Sequence, residues 1–147
     1  MNVIVRAPAA GDRSDWDRLY RGYAEFYGVP QTCEMRDRVW GWLADDAHEV
    51  HGLLAEAEGT VVGLVHYRPF ASPLRATVNC FLDDLFVDPG HRGSGAARAL
   101  IEAVRAQAQE NGWSVVRWIT ADDNYRGRAL YDRLARRTTW VTYDMTP

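Results

Sequence analysis

The segment Arg92-Gly93-Ser94-Gly95-Ala96-Ala97-Arg98 sits between an apolar strand, Leu85-Phe86-Val87, and a helical pattern. Small residues there let the backbone come close to a ligand. The N–H groups at the start of the helix, and its dipole, then face an anion. A phosphorylated cofactor is such an anion. Farther along lie Asn124 and Tyr131, a polar amide and a phenol able to give up a proton. Upstream stand two adjacent carboxylates, Asp83 and Asp84, able to accept one.

Several phosphate motifs compete for this turn. The plainest reading is a tight strand-to-helix turn that uses glycine for its backbone freedom. A dinucleotide fingerprint fails, because Arg98 occupies the third glycine position and no acidic residue ends a strand about twenty residues on. A nucleotide-binding P-loop needs a lysine. All 17 basic residues here are arginine, so that loop is excluded, and so is pyridoxal chemistry through a lysine Schiff base.

Composition narrows the classes further. The length of 147 residues fits one domain, 1–147, with a sizeable core. A net charge of −3 argues against nucleic acid as the main partner. The N-terminus lacks the pattern of a signal peptide, and no apolar run is long enough to span a bilayer, so a cytoplasmic setting with no membrane partner is expected. The Ala-, Arg- and Trp-rich usage suggests a GC-rich, bacterial source. Cys33 and Cys80 have no CxxC spacing and read as reduced, mostly buried thiols. His48 and His51 lack further ligands nearby, so no metal site is expected.

Those groups need elements to carry them. Val3–Arg6 reads as a first strand. A helix capped by Asp12 or Ser14 runs to Tyr27, with Trp16, Leu19, Tyr20, Tyr23 and Tyr27 on one face. A second spans Cys33–Ala44, with Met35, Val39 and Trp42 facing one side. Strands are expected over Glu49–Glu58, Thr60–Tyr67 and Ala76–Val87, with a loop at Pro69 and Pro73. A helix then runs to Asn111, a strand covers Val115–Thr120, a helix runs from Asn124 to Ala135, and Thr138–Met145 closes the chain as a strand. The order predicts an α/β architecture: a mixed, mostly antiparallel sheet with a parallel pair, flanked by helices.

With these elements in place, Arg92-Gly93-Ser94-Gly95-Ala96-Ala97 resembles the pyrophosphate motif Arg-x-x-Gly-x-Ala of the GCN5-related N-acetyltransferases, the GNAT superfamily. Asp83-Asp84-Leu85-Phe86-Val87-Asp88-Pro89 is similar to that family's central strand, and Asn124 with Ala129-Leu130-Tyr131 to its second signature. The likeness covers about residues 76 to 135. Leu134-Ala135-Arg136-Arg137 departs from the family's usual Leu-Gly-Phe. A subgroup that includes fungal histone- and polyamine-acetylating enzymes is a weaker likeness.

The resemblance implies acetyl-CoA as cofactor and direct transfer of its acetyl group to a primary amine. It implies that Leu85, Phe86 and Val87 meet the pantetheine arm through main-chain groups, and that Arg92, Gly93, Ser94, Gly95, Ala96 and Ala97 meet the pyrophosphate. Asn124 then contacts the cofactor arm, and Tyr131 is the general acid for the departing thiolate. Asp83 or Asp84 is the base, through water. Strand alternation would put these two on opposite faces, with Asp83 at the family's acidic position. The acceptor is expected to be a small cationic amine or a basic peptide, seated near the aromatics of the first two helices. A non-catalytic acyl-CoA sensor or interaction module is the alternative. The last strand could pair across a homodimer or cap a monomer edge.

Overall fold

A computed structural model describes residues 2–147. One sheet has the strand order β1-β2-β3-β4-β5, formed by β1 (Val3–Arg6), β2 (His51–Ala57), β3 (Thr60–Ser72), β4 (Thr77–Val87) and β5 (Val116–Arg117). The first four strands pair antiparallel and β4 pairs parallel with β5. Helices α1 (Arg13–Tyr27) and α2 (Cys33–Ala44) precede β2; α3 (Ala96–Asn111) and α4 (Tyr125–Leu134) flank β5 in the chain. The mixed, mostly antiparallel sheet with one parallel pair is the expected architecture.

Two cores lie on the two faces of the sheet. Trp16 and Leu19 of α1 pack on Leu54, Val61 and Leu64. Leu100, Ile101 and Val104 of α3 pack on Val62, Val65, Tyr67, Cys80 and Leu82. β3 alternates between the two, Leu64 to α1 and Val65 to α3, as a strand covered on both sides must.

Several elements depart from the sequence pattern. In α2 the inward side is Arg36, Val39, Trp40 and Leu43, while Met35 and Trp42 are exposed. Arg36 is drawn in because Asp17 of α1 accepts from its Nε at 2.9 Å. Met35 is taken up by the cap, its N–H donating to Thr32 Oγ1 and its sulfur accepting from the Thr32 N–H. Strand β3 continues through Pro69 to Ser72 instead of looping at the proline. β2 reaches only to Tyr67, so Pro69 sits where β3 has an open edge, the place a residue without an N–H is tolerated. Cys80 is buried, but Cys33 is exposed.

The largest departures are near the C-terminus. β5 pairs with β4 only at Cys80/Val116 and Phe81/Arg117, well short of the expected Val115–Thr120 strand. Past Phe81 the two parallel strands diverge, and a wedge opens between them. Residues 136–147, expected to close the chain as a strand over Thr138–Met145, pair with no strand of the sheet.

Candidate active site

The wedge is the mouth of a cleft of about 1190 Å³. One wall is α1, through Tyr23, Phe26 and Tyr27; the floor is Leu85, Phe86 and Val87; the far wall is Asn124 to Tyr131. The turn His91–Arg98 closes one end.

A bulge in β4 decides what faces this cleft. His66 lies opposite Asp84 and Tyr67 opposite Leu82, so Asp83 is an extra residue. Below it, the Cys80 N–H points toward β5, donating to Val115 O at 2.7 Å. Above it, the Asp88 N–H points the other way, to Val62 O of β3 at 2.8 Å. Counting back by twos from Asp88, the Phe86 N–H faces β3, and the N–H groups of Leu85 and Val87 face the open wedge. Of the three expected main-chain donors, Phe86 is therefore committed to the sheet, and it meets the cleft through its ring.

The same bulge overturns the expectation that Asp83 and Asp84 lie on opposite faces. Arg68 Nε donates to Asp83 Oδ1 at 3.2 Å, and His66 Nδ1 lies 2.8 Å from Asp84 Oδ2. His66 and Arg68 are two apart on β3 and share its α1 face, so both carboxylates reach that face. Their environments differ. Burial raises the Asp83 pKa above the ordinary carboxylate range despite Arg68, and its Oδ2 has no hydrogen-bond partner. Burial also opposes charge on Asp84, but hydrogen bonds from His66, Tyr20 and Tyr23 outweigh it and hold the pKa low. Neither carboxylate lines the cleft directly; Tyr23, which does, is a hydrogen-bond partner of Asp84.

Sequence reasoning missed His66 and its lock. Trp16 Nε1 can only donate, and it lies 3.0 Å from His66 Nε2. His66 Nε2 therefore accepts, and the ring proton sits on Nδ1, where it donates to Asp84. Tyr20 adds a hydroxyl to Asp84 Oδ2 at 3.0 Å and sets its ring edge-on to the imidazole. The one available signal was a lone histidine inside the apolar run Val61–Tyr67.

At the phosphate-sized end, Gly93 and Gly95 have φ of 82° and 87°, and a Cβ at either would meet nothing within 4 Å. Glycine is there for the left-handed backbone, not for lack of room. Ser94 Oγ accepts from the Ala96 N–H at 3.3 Å, leaving the first-turn N–H groups of Ala97 and Arg98 without an intrahelical acceptor. Around them the cleft wall carries Arg92, Arg98, Arg126 and Arg133 against one carboxylate, Asp123. A cationic cleft in a chain of net charge −3 fits a ligand with several negative charges.

On the far wall, Asn124 caps α4: its Oδ1 accepts from the Gly127 N–H at 3.3 Å and its Nδ2 donates to Thr120 Oγ1 at 3.0 Å. A Cβ on Gly127 would come within 2.6 Å of that Nδ2, so the cap requires glycine there. Tyr131 lies one helical stretch further, its ring edge-on to Trp118 at 5.5 Å. Burial, with Tyr27 nearby, pushes its phenol up to about 12. It keeps its proton at neutral pH and is a hydrogen-bond donor. Among the described residues no cluster of His, Cys, Asp or Glu could hold a metal ion, and no helix is long and apolar enough to cross a membrane.

The family model described as the acetyltransferase (GNAT) family matches residues 16–135. The D-amino-acid N-acetyltransferase HPA3 of Saccharomyces cerevisiae is 28% identical over 96% of this chain and 89% of its own. The thialysine N-epsilon-acetyltransferase of Bos taurus is 30% identical over 90% of this chain and 82% of its own. Among solved structures, AAC(6')-Iy in complex with the bisubstrate analog CoA-S-monomethyl-acetylneamine superposes with a TM-score of 0.85 at 18% identity, covering 100% of this chain and 99% of that one. At that identity the match speaks for the fold alone.

Proposed function

The chain belongs to the acetyltransferase (GNAT) family and is an N-acetyltransferase, and on that premise we propose that it moves the acetyl group of acetyl-CoA to the primary amine of a small cationic molecule. The observation that carries this reading is the polarity of the cleft. One end is cationic and rich in free N–H groups, from Arg92 to Arg98. Beneath the opposite wall lie two carboxylates, Asp83 and Asp84, screened by Tyr20 and Tyr23. The first suits a pyrophosphate and the second a protonated amine. The yeast and bovine relatives, named for D-amino acids and thialysine, favour a small amino compound over a basic peptide.

When bound, acetyl-CoA supplies an activated thioester carbonyl and a thiolate leaving group. The N–H groups of Leu85 and Val87 would take carbonyl oxygens of the cofactor arm and polarise the thioester. Ala97 and Arg98 N–H, with Arg92, would hold the phosphates. Asp83 accepts the amine proton through water; its raised pKa and free Oδ2 make it the stronger base of the pair. Asp84 stays ionised and orients Tyr20 and Tyr23. Tyr131, which keeps its proton at neutral pH, would donate a hydrogen bond to the sulfur of the leaving thiolate. A phenol at about 12 is a weaker acid than a thiol near ~8.5. Stabilisation of the thiolate is thus its main contribution, with bulk solvent completing protonation.

The test is thiol release from acetyl-CoA with D-amino acids, lysine-like diamines, polyamines, aminoglycosides and histone-tail peptides. Turnover with small amines, falling on the acid side as Asp83 protonates and losing that acid limb in Asp83→Ala, is expected. Loss of the limb in Asp84→Ala alone would move the base to Asp84. Tight binding of acetyl-CoA with no transfer to any amine would favour the sensor reading.

A further inference from the structure

Five side chains at the α1 wall form one hydrogen-bonded group in which the direction of every bond is set. It starts at Trp16 Nε1, which can only donate, 3.0 Å from His66 Nε2. An accepting Nε2 leaves the ring proton on Nδ1, 2.8 Å from Asp84 Oδ2. The Tyr20 hydroxyl donates to the same oxygen at 3.0 Å, and Tyr23 donates to that carboxylate as well. Trp16 and His66 are fully buried, so solvent does not compete for the bonds that set the direction. Asp84 ends the group as an acceptor from three donors.

A neutral phenol whose proton is committed has only oxygen lone pairs left to offer. Of the five residues, only Tyr23 lines the cleft. Its ring is held from several sides. Tyr20 stacks on it with centroids 5.9 Å apart and planes 19° from parallel, and Tyr27 and Phe86 meet it edge-on at 5.0 and 6.3 Å. On the far wall Tyr131 has the opposite character. Burial and Tyr27 act on its phenol and no carboxylate does, so its proton stays available to a ligand. The cleft thus has an accepting phenol on one wall and a donating phenol on the other.

We infer that Tyr23 is a specificity residue for the acceptor: its oxygen accepts an N–H from the incoming nitrogen, and the chain from Trp16 through His66 and Asp84 fixes it in that role. The assignment rests on the proposed function. An arriving ammonium donates one N–H to Tyr23. Once Asp83 has taken a proton through water, the amine keeps two N–H bonds and a lone pair. One N–H stays on Tyr23, and the lone pair is left for the thioester carbon. An ether or ester oxygen, with no hydrogen to give, meets only lone pairs there. His66 is a positioning residue in this scheme, since it reaches the amine only through Asp84 and Tyr23.

The test compares KM values for each amine that the wild-type chain acetylates, at saturating acetyl-CoA. Tyr23→Phe keeps the ring and removes the oxygen. It should raise the amine KM about tenfold, the loss of one hydrogen bond to a charged group. The KM for acetyl-CoA should move less than twofold. Tyr20→Phe removes a hydroxyl from the same carboxylate but away from the cleft, and should raise the amine KM less than threefold. An equal rise in both variants would assign the effect to the charge of Asp84 and overturn the contact, as would an amine KM unmoved in Tyr23→Phe. The nitrogen NMR spectrum of His66, read on the ligand-free chain, should show a protonated Nδ1 and an unprotonated Nε2. The opposite tautomer would overturn the direction of the chain. Transfer by the wild type with an unmoved KM in Tyr23→Phe fails this assignment alone; no transfer by the wild type to any amine fails the proposed function and the assignment with it.

Discussion

On the α1 side of the cleft, Trp16, Leu19 and Leu64 are fully buried, and Trp16, His66, Asp84 and Tyr20 are joined in one hydrogen-bonded chain. On the α4 side, a two-residue strand and a helix with no fully buried residue carry Tyr131. The difference separates two ways of placing a reactive group. The carboxylates are placed by a core that would cost stability to disturb. The phenol is placed by the Asn124 cap, the Trp118 ring and the partly buried packing of Leu130, Tyr131 and Leu134 on the α3-side core. The α1 wall is the more deeply packed of the two.

The sharpest way to break that contrast is to truncate one ring on each side. Trp16→Ala removes a buried indole and the donor to His66, and should cost about 3–5 kcal/mol in denaturant unfolding. Trp118→Ala, whose ring is only partly buried beside Tyr131, should cost less than half as much; equal losses would erase the distinction. Tyr131→Phe should leave the melting temperature within about 2 °C of wild type. It should lower kcat/KM about 100-fold. An unchanged rate would take the phenol out of the chemistry.

Coenzyme A at about 100 times its Kd should stabilise the protein by about 2.7 kcal/mol. The gain in hydrogen-exchange protection should fall mainly on the start of α3, on β5 and on α4. Protection spread evenly into α1 and β3 would mean that both walls are ordered by the ligand.

Acid tests the built-in half. Asp12 accepts from Arg6 Nη1 at 2.7 Å and from the Ala9 N–H at 2.7 Å, tying β1 to the start of α1. The Arg6 hydrogen bonds, against burial, lower its pKa from 3.8 to about 2. Its contribution is thus fully present above about pH 4 and lost as pH falls toward 2. Stability measured over that window should decline by about 2 kcal/mol in wild type and less in Asp12→Asn. The smallest effect is expected at Gly127→Ala, about 1 kcal/mol from the disturbed Asn124 cap. It should be accompanied by weaker coenzyme A binding.

The turn at Arg92–Ala97 and the Asn124 and Tyr131 pair were legible because their spacing is local. Each is a few residues beside the start of a helix, and helix starts expose N–H groups wherever they occur. The apolar stripes of α1 and α3 were legible for the same reason. The buried side of α2 was not, since Arg36 points inward only because Asp17 waits on another helix. Nor was the end of β3, where Pro69 is allowed by how far β2 extends. His66 could be seen as an oddity in an apolar strand, but its tautomer depends on Trp16, fifty residues away.

The adjacent aspartates mark the boundary most clearly. By itself the sequence determined that two carboxylates precede Leu85–Val87 and that a glycine turn follows, because residue type and order need no partner. Only the tertiary structure decided which way they face. An extra residue at Asp83 shifts the pairing of β4 on β3, and with it both the side chains and the amides above. Pairing between strands is a contact at long sequence separation, so its phase is written in neither strand alone.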